Sequence, residues 1–224
     1  MNINKIIFIL IFCIAGQLKS QEYQDDAALW FNVYLEKKMG KFEIHLNQKN
    51  RINDNVSTYH LGYADMGLTY NINKNIKVLG DYVYGWRRGG DYTFNNRHRF
   101  YFALILKKKL GNWTFQYRNR VQIQYSNIYT SADGLVPEFY ERNKLTVKYE
   151  LNKRVSFYVA EELYFPFYQA MNKGFDRSRS FVGGTYALTK HNEIELYFAY
   201  QHELNAFDVT RRIFIYGIGY SHSF

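Results

Sequence analysis

Residues 211–224 read RRIFIYGIGYSHSF, and this stretch decides the fold because its side chains alternate in size and polarity. Large side chains occupy every second position up to the last residue: Phe214, Tyr216, Ile218, Tyr220, His222 and Phe224. Glycine or serine fills the intervening positions from Gly217 onwards. A period of two predicts a β-strand with one apolar face. Because chain ends usually fray into water, an aromatic residue at the terminus indicates a strand that finishes in a membrane interface.

The same alternation recurs along the chain at fairly even spacing. It is clearest from Trp113 to Tyr125, where only Asn119 departs from the apolar face. Residues 98–106, 145–151, 194–200 and 211–224 share this rhythm, and residues 42–46, 60–72, 76–86, 155–165 and 178–188 follow it more loosely. Residues 29–35 are apolar on both faces and therefore ambiguous. The chain also contains 22 Tyr and 18 Phe but 2 Pro, which is typical of transmembrane barrels with aromatic girdles.

The connections between these segments are alternately short and long. Short ones lie near residues 39–40, 71–75, 110–111, 151–154 and 189–192, and longer ones near residues 53–58, 88–96, 126–138, 166–176 and 204–210. Outer-membrane barrels show this pattern, with short turns facing the periplasm. The predicted fold class is therefore all-β: a transmembrane antiparallel up-and-down β-barrel of about 10–12 strands, formed by residues 21–224 as one domain.

The strand number raises a problem of parity. About eleven segments are visible, whereas single-chain bacterial barrels have an even number of strands. The first segment would run from outside to inside, and residues 21–28 are too few to cross back before it. Either residues 29–37 do not form an ordinary wall strand, which leaves ten, or two strands have been merged and the total is twelve.

A soluble eight-stranded barrel of the lipocalin type is the alternative fold. Such a barrel should turn its apolar face inward. It also gives little reason for long strands rich in aromatic residues, so the membrane barrel is favoured.

The first twenty residues predict an export signal. Lys5 provides the positive start, residues 6–16 form an apolar run, and a short polar segment ends at Ser20. An apolar run of about ten residues is too short for a membrane helix. We expect cleavage after Ser20 and a location in the bacterial outer membrane. Cys13 is the only cysteine and lies in this leader, so the mature chain has no thiol.

The charge indicates the kind of partner. The net charge is +9, and removal of Lys5 and Lys19 with the leader leaves +7. A positive surplus attracts anionic lipid headgroups and anionic solutes. The expected partners are therefore outer-membrane lipid and lipopolysaccharide, with small anionic solutes as a further candidate. After export, nucleic acid is not an expected partner.

If the apolar face meets lipid, the polar face lines the lumen, and its charges form the candidate site. By alternation these lumen-lining residues are Arg97, Arg99, Arg118, Arg120, Arg142, Lys144, Glu162, Arg177, Arg179, Glu195 and Glu203. Hairpin register across residues 189–192 places Arg177 near Glu203 and Arg179 near Gln201. One interpretation is a salt-bridged polar core, because eight-stranded barrels are filled by side chains and wide channels need about sixteen strands. The other is a basic constriction that favours anions.

Motifs of catalytic chemistry are scarce. The chain has no Gly-x-Ser-x-Gly elbow, no His-Glu-x-x-His and no Gly-rich phosphate loop. An outer-membrane hydrolase is a further alternative, through His222 beside Ser221 or Ser223, or through the acids of the long loops, Asp91, Asp133, Glu138 and Asp176. Neighbouring strand residues face opposite sides, so His222 is not aligned with either serine. We expect no catalytic residue, no cofactor and no metal site.

Several features occur together in one known family. A leader ending near Ser20-Gln21 precedes a first segment that carries Trp30, and arginine and glutamate punctuate the later strands. The chain closes with Arg177-x-Arg179, Glu195-Leu196-Tyr197 and Tyr216-Gly217-Ile218-Gly219-Tyr220. In these features the chain resembles the uncharacterised outer-membrane β-barrel family known as domain of unknown function 2490. The resemblance covers most of the mature chain. It implies a barrel and brings no assigned reaction, so no catalytic residue is carried over.

The last strand separately resembles the C-terminal signal that the barrel-assembly machinery reads. The matching positions are Tyr216, Ile218, Tyr220 and Phe224. The resemblance implies this machinery as a partner. The sequence thus predicts a small, non-catalytic outer-membrane barrel with a structural or narrow-pore role. The alternative function is an anion-biased porin or transporter with an arginine-rich lumen.

Overall fold

Eleven strands make up the part of the chain that the structure describes. The computed structural model describes residues 23–89, 93–125, 138–167, 175–204 and 210–224. The strands are β1 Tyr23–Met39, β2 Phe42–Asn53, β3 Thr58–Asn71, β4 Ile76–Arg88, β5 Phe94–Leu110, β6 Trp113–Tyr125, β7 Glu138–Glu150, β8 Val155–Pro166, β9 Arg177–Ala187, β10 Asn192–Leu204 and β11 Thr210–Ser223. The predicted export signal, residues 1–20, lies outside the described residues.

The strands close into one barrel. Each strand pairs antiparallel with its neighbours in sequence, but β1 pairs with β11 in parallel, from Tyr23 beside Thr210 to Glu36 beside Ser223. The prediction of an all-β barrel is confirmed. The predicted number of about 10–12 strands is also confirmed, with eleven strands described, and the parity problem is resolved because the closing pair of strands is parallel. Residues 23–28 belong to a full wall strand, and an odd number of alternating strands makes the first and last run in the same direction.

The connections at one end of the barrel are tight turns. Gly40 and Gly111 have φ values of 62° and 58°, the left-handed conformation that glycine adopts without steric cost. In two further turns, the side-chain oxygens of Asn73 and Asn152 accept backbone N–H groups two and three residues further on. We call this end the turn side. The opposite end, where β1 begins and β2 joins β3, is the loop side.

Side chains alternate across the wall as the sequence predicted. In β11, Ile213 and Ile215 are 4% and 0% exposed and lie inside the barrel, whereas Tyr216 and Ile218 are 54% and 40% exposed. Elsewhere in the wall Asp65, Asp81 and Arg179 are buried inside, whereas Phe102 and Leu196 are 58% and 60% exposed, so the predominantly apolar face is the outer face. This is the reverse of a lipocalin, so the soluble alternative does not fit.

Polar side chains interrupt the outer apolar face on β6 and β7. Asn119 Nδ2 donates to Glu141 Oε1 at 2.6 Å and to Asn143 Oδ1 at 2.9 Å. The Tyr117 hydroxyl donates to the same Asn143 oxygen at 2.5 Å. Because these groups satisfy one another, the cost of placing them on an apolar face is reduced. Alternation had identified Asn119 alone, and its partner follows from the pairing of Asn119 with Asn143.

Two glycines of β11 make room inside the wall. A Cβ atom on Gly217 would overlap the ring of Tyr197, and one on Gly219 would lie 2.9 Å from the Asn32 side chain. Contacts this close leave no space for a side chain. The small inward residues of the last strand therefore accommodate its neighbours on β10 and β1.

Candidate functional site

The lumen charges gather around one carboxylate, Glu162 on β8, which is 1% exposed. Its Oε1 accepts hydrogen bonds from Arg118 at 2.7 Å and Arg142 at 3.0 Å. Its Oε2 accepts one from the Tyr164 hydroxyl at 2.9 Å, and Arg179 lies 3.7 Å from the same oxygen. We call Glu162, Arg118, Arg142 and Arg179 the Glu162 cluster.

Strand register explains how the cluster forms. Arg118 pairs with Lys144, Lys144 with Glu162, and Glu162 with Arg179, in one row across β6 to β9. All four positions face inward, so one carboxylate has cations on both neighbouring strands. A buried charge is tolerated when it is paired and hydrogen-bonded, and Glu162 is both. Charge pairing within this row therefore depends on Glu162.

A second charged cluster lies on β2 to β4 and was not predicted. His45 Nε2 is 3.2 Å from Asp81 Oδ1 and 3.8 Å from Asp65 Oδ1. Lys49 donates to Asp65 at 2.9 Å, and Arg120 lies 3.6 Å from Asp81. The alternation of residues 42–46 and 60–72 already places His45 and Asp65 on the inner face. That signal was available in the sequence.

A cavity of about 280 Å³ lies between the Glu162 cluster and the loop side. Seven arginines line it: Arg51, Arg87, Arg97, Arg99, Arg142, Arg177 and Arg179. Four tyrosines and two glutamines complete the described lining, which contains no Asp or Glu. We call this space the loop-side cavity.

A second cavity, of about 340 Å³, lies towards the turn side. Glu36, Glu193 and Glu195 are its charged residues, and its described lining contains no Lys or Arg. The Tyr158 hydroxyl donates to Glu195 at 2.7 Å, and the Ser223 hydroxyl donates to Glu36 at 2.7 Å. We call this space the turn-side cavity. Its charge is opposite in sign to that of the loop-side cavity.

Side chains narrow the lumen between these two spaces. A smaller cavity of about 170 Å³ borders the Glu162 cluster. It shares five lining residues with the loop-side cavity: Arg51, Tyr63, Tyr101, Arg142 and Arg179. These five side chains therefore lie between the smaller cavity and the loop-side cavity. At mid-height the barrel holds a polar core.

The residues predicted from alternation fall into four groups. Arg118, Arg142, Lys144 and Arg179 surround Glu162; Arg120 lies beside Asp81; Arg97, Arg99 and Arg177 line the loop-side cavity with Glu203 beside Arg177; Glu195 lines the turn-side cavity.

The predicted hairpin register across β9 and β10 is confirmed. Arg177 Nε lies 3.0 Å from Glu203 Oε1, and Arg179 Nε donates to Gln201 Oε1 at 2.7 Å. Arg51 was missed because β2 extends beyond the predicted residues 42–46, to Asn53.

The four positions matched to an assembly signal lie on the outer face. Tyr216, Ile218, Tyr220 and Phe224 are all exposed there, from 38% to 69%. Their surface is therefore available to a partner during assembly. That the assembly machinery reads them stays a prediction.

The side chains considered for hydrolysis are not brought together. His222 Nδ1 lies 2.7 Å from Asn192 Oδ1 near the outer face, whereas the Ser223 hydroxyl donates to Glu36 inside the barrel. Asp91 and Asp133 lie outside the described residues.

Asp176 precedes β9 at the loop side. Burial raises the pKa of this carboxyl, and Arg177 beside it acts in the opposite direction. This carboxyl is therefore harder to ionise than an ordinary aspartate.

Metal-binding clusters and membrane-spanning helices are both absent from the described ranges. Within them no three His, Cys, Asp or Glu side chains are grouped so that they could hold a metal ion. No helix in this part of the chain has the length and apolarity needed to cross a membrane.

The fold and its interior define an eleven-stranded β-barrel with a charge-filled core. The sequence model of a family described as "Protein of unknown function (DUF2490)" matches residues 27–210. The match covers most of the chain, so the chain belongs to this family, and the expected membership is confirmed.

Among solved structures, one described as "NanC porin structure in rhombohedral crystal form" is similar to this barrel. The two chains are 12% identical with a TM-score of 0.49, and the likeness covers 80% of this chain and 87% of that chain. No curated protein matches the chain.

Proposed function

We propose that this chain is a small outer-membrane β-barrel without catalytic activity, in a structural or narrow-pore role. The outer surface of the wall supports a location in the outer membrane. Every strand carries at least one exposed large apolar side chain, and Phe102, Leu196 and Tyr216 are 58%, 60% and 54% exposed. Soluble monomers rarely expose apolar patches beyond a few hundred Å². A belt that runs around the whole wall needs lipid or detergent to cover it.

Strand length and aromatic placement support the same address. The described strands have 11 to 17 residues, and about 9–11 tilted residues suffice to cross a bilayer. At the turn side, Trp113 packs on Tyr149 with ring centroids 4.7 Å apart, and Phe42 packs on Tyr70 at 5.1 Å. Aromatic side chains at strand ends are typical of the membrane interface.

The observation that carries the proposed role is the Glu162 cluster. Glu162, with its hydrogen bonds from Arg118 and Arg142, occupies the lumen where a wide pore would need water. Barrels with about eight strands are filled by side chains, and open channels need about sixteen. Eleven strands with this polar core therefore fit a structural barrel or a pore for the smallest solutes.

Fractionation tests the membrane address. We expect the full chain to be recovered with outer-membrane material, and its gel mobility to change on heating because a closed barrel resists cold detergent. A soluble, monodisperse protein obtained without detergent would contradict the address.

Planar-bilayer recording tests the filled lumen. We expect conductance steps far smaller than those of a sixteen-stranded porin in the same bilayer, because the Glu162 cluster occupies the cross-section. Steps as large as the porin's would contradict this role. A panel of ester and peptide substrates tests the absence of catalysis, and turnover of any of them would contradict it.

The second candidate function is an anion-biased pore. The seven arginines of the loop-side cavity favour it, because rings of basic side chains select anions. Arg99→Gln should move the reversal potential under a salt gradient towards zero. The matched control is Arg154→Gln, at an exposed arginine of the β7–β8 turn, which should leave the potential unchanged. Equal potentials in all three proteins would contradict an anion bias set by this cavity.

A further inference from the structure

Among the described residues, the loop-side cavity has more positive charge than neighbouring carboxylates neutralise. Arg177 has Glu203 as a partner at 3.0 Å, while Arg142 and Arg179 share Glu162 with Arg118.

The other arginines differ. Arg51, Arg87 and Arg99 form no ion pair with any carboxylate of the described residues. Like charges held this close in a partly dry space repel one another. Anions from solution are the natural source of compensation.

Aromatic rings fix the planes of several of these guanidinium groups. Arg51 lies over the ring of Trp30 at 3.7 Å, and Arg179 lies over the same indole at 4.7 Å. Arg99 lies 5.8 Å from the ring centroid of Tyr63. A stacked guanidinium uses its flat face and keeps its in-plane N–H groups for other partners. Stacking therefore pre-orients donors towards the cavity.

Two donors of the cavity lining are buried without a hydrogen-bond partner. The Nε atoms of Arg99 and Arg142 are inaccessible to solvent, and among the described residues nothing accepts their hydrogen bonds. Buried donors are normally satisfied, and an unmet one costs free energy. Their partial positive charge adds to the field that an anion in the cavity would meet.

We propose that the loop-side cavity is a binding site for a small solute that carries two or more phosphate or carboxylate groups. The guanidinium fork matches both oxyanions in a bidentate manner. A volume of about 280 Å³ has room for roughly nine water molecules at about 30 Å³ each, which suits a solute of metabolite size. Tyrosine hydroxyls and glutamine amides of the lining provide uncharged donors around such a solute.

This inference goes beyond the proposed function, because a barrel that conducts nothing can still bind a solute from the loop side. The test is therefore equilibrium binding, not conductance. The full chain, folded in detergent and free of phosphate buffer, is titrated calorimetrically with pyrophosphate, citrate or uncharged maltose.

We expect saturable binding of pyrophosphate, citrate or both, with one site per chain, and no binding of maltose. Pyrophosphate alone would assign the phosphate class, and citrate alone the carboxylate class. Arg99→Gln and Arg87→Gln should each weaken binding about tenfold or more, because each removes a charged donor. Arg154→Gln, at the opposite end of the barrel, should bind as the natural chain does.

Heat-dependent gel mobility confirms that each variant is folded, and Arg87 near the end of β4 offers a second variant if Arg99→Gln does not fold. Two results would overturn the proposal. One is that the folded natural chain binds neither anion. The other is that every folded cavity variant binds as tightly as Arg154→Gln.

Discussion

The two cavities of the lumen are built by one wall and carry opposite charge. Seven arginines and no described acid line the loop-side cavity, whereas three glutamates and no described cation line the turn-side cavity. The Glu162 cluster, which combines both signs, lies between them. An ion that is attracted at one side meets repulsion at the other. The described interior therefore separates positive from negative charge along the barrel axis.

Removal of the central carboxylate, that of Glu162, should disrupt this separation of charge. Of the changes considered, it should lower the free energy of unfolding most. Glu162→Gln keeps the shape but leaves Arg118, Arg142 and Arg179 without their shared anion. Loss of one partner from a buried ion pair costs about 3–5 kcal/mol. The urea midpoint of unfolding in detergent measures this change.

Glu161 provides the matched control for that experiment. Glu161 directly precedes Glu162 in the sequence, faces the outer side, and forms no ion pair with a described residue. Glu161→Gln should change the free energy of unfolding by less than about 1 kcal/mol. Equal effects of Glu161→Gln and Glu162→Gln would show that Glu162 does not organise the core.

A pair of neighbouring aspartates on β1 sharpens the comparison at the loop side. Asp26 is 5% exposed and accepts hydrogen bonds from Arg211 at 2.9 Å and from the Asn55 N–H at 2.9 Å. Asp26→Asn should lower the free energy of unfolding by about 1–3 kcal/mol, since these bonds go to a buried charge. Asp25 pairs with Arg212 on the exposed outer face, so Asp25→Asn should cost at most about 1 kcal/mol. Urea unfolding of both variants measures these two losses in the free energy of unfolding. A larger loss in Asp25→Asn than in Asp26→Asn would contradict the expected order.

The smallest expected effect concerns Asp176 at the loop-side rim. Burial raises the pKa of this carboxyl, so folding disfavours its ionised form. The resulting loss of stability is present above the raised pKa and disappears as the pH falls through it. Asp176→Asn should therefore raise Tm by less than about 3 °C at pH 7.5. The difference should shrink on acidification, and a lower Tm for Asp176→Asn at pH 7.5 would contradict this assignment.

Much of the wall could be predicted from sequence because alternation is a local property. The Trp113–Tyr125 segment and residues 211–224 gave the correct inner and outer faces, and the short turns gave the hairpin partners of Arg177 and Arg179. Such partners are predictable because a tight turn fixes the register of the two strands that it joins.

What could not be predicted depends on contacts between distant parts of the chain. Alternation placed Glu162 inside, but its burial among three arginines depends on register accumulated over four strands. The parallel direction of the β1–β11 pair was not predicted, since the full extent of β1 could not be read from its sequence. The opposite charges of the two cavities also depend on how distant strands align.

The parallel pairing of β1 and β11 determines when the barrel can be completed. Arg212 with Asp25, and Ser223 with Glu36, join residues 187 positions apart, whereas all other strands pair with a neighbour in sequence. Neighbouring hairpins close short loops and can form early, but contacts over nearly the whole chain form slowly. Until β11 arrives, both edges of the growing sheet expose unpaired backbone groups that can pair with other chains. Pairing of β11 with β1 therefore converts an aggregation-prone sheet into a wall without edges.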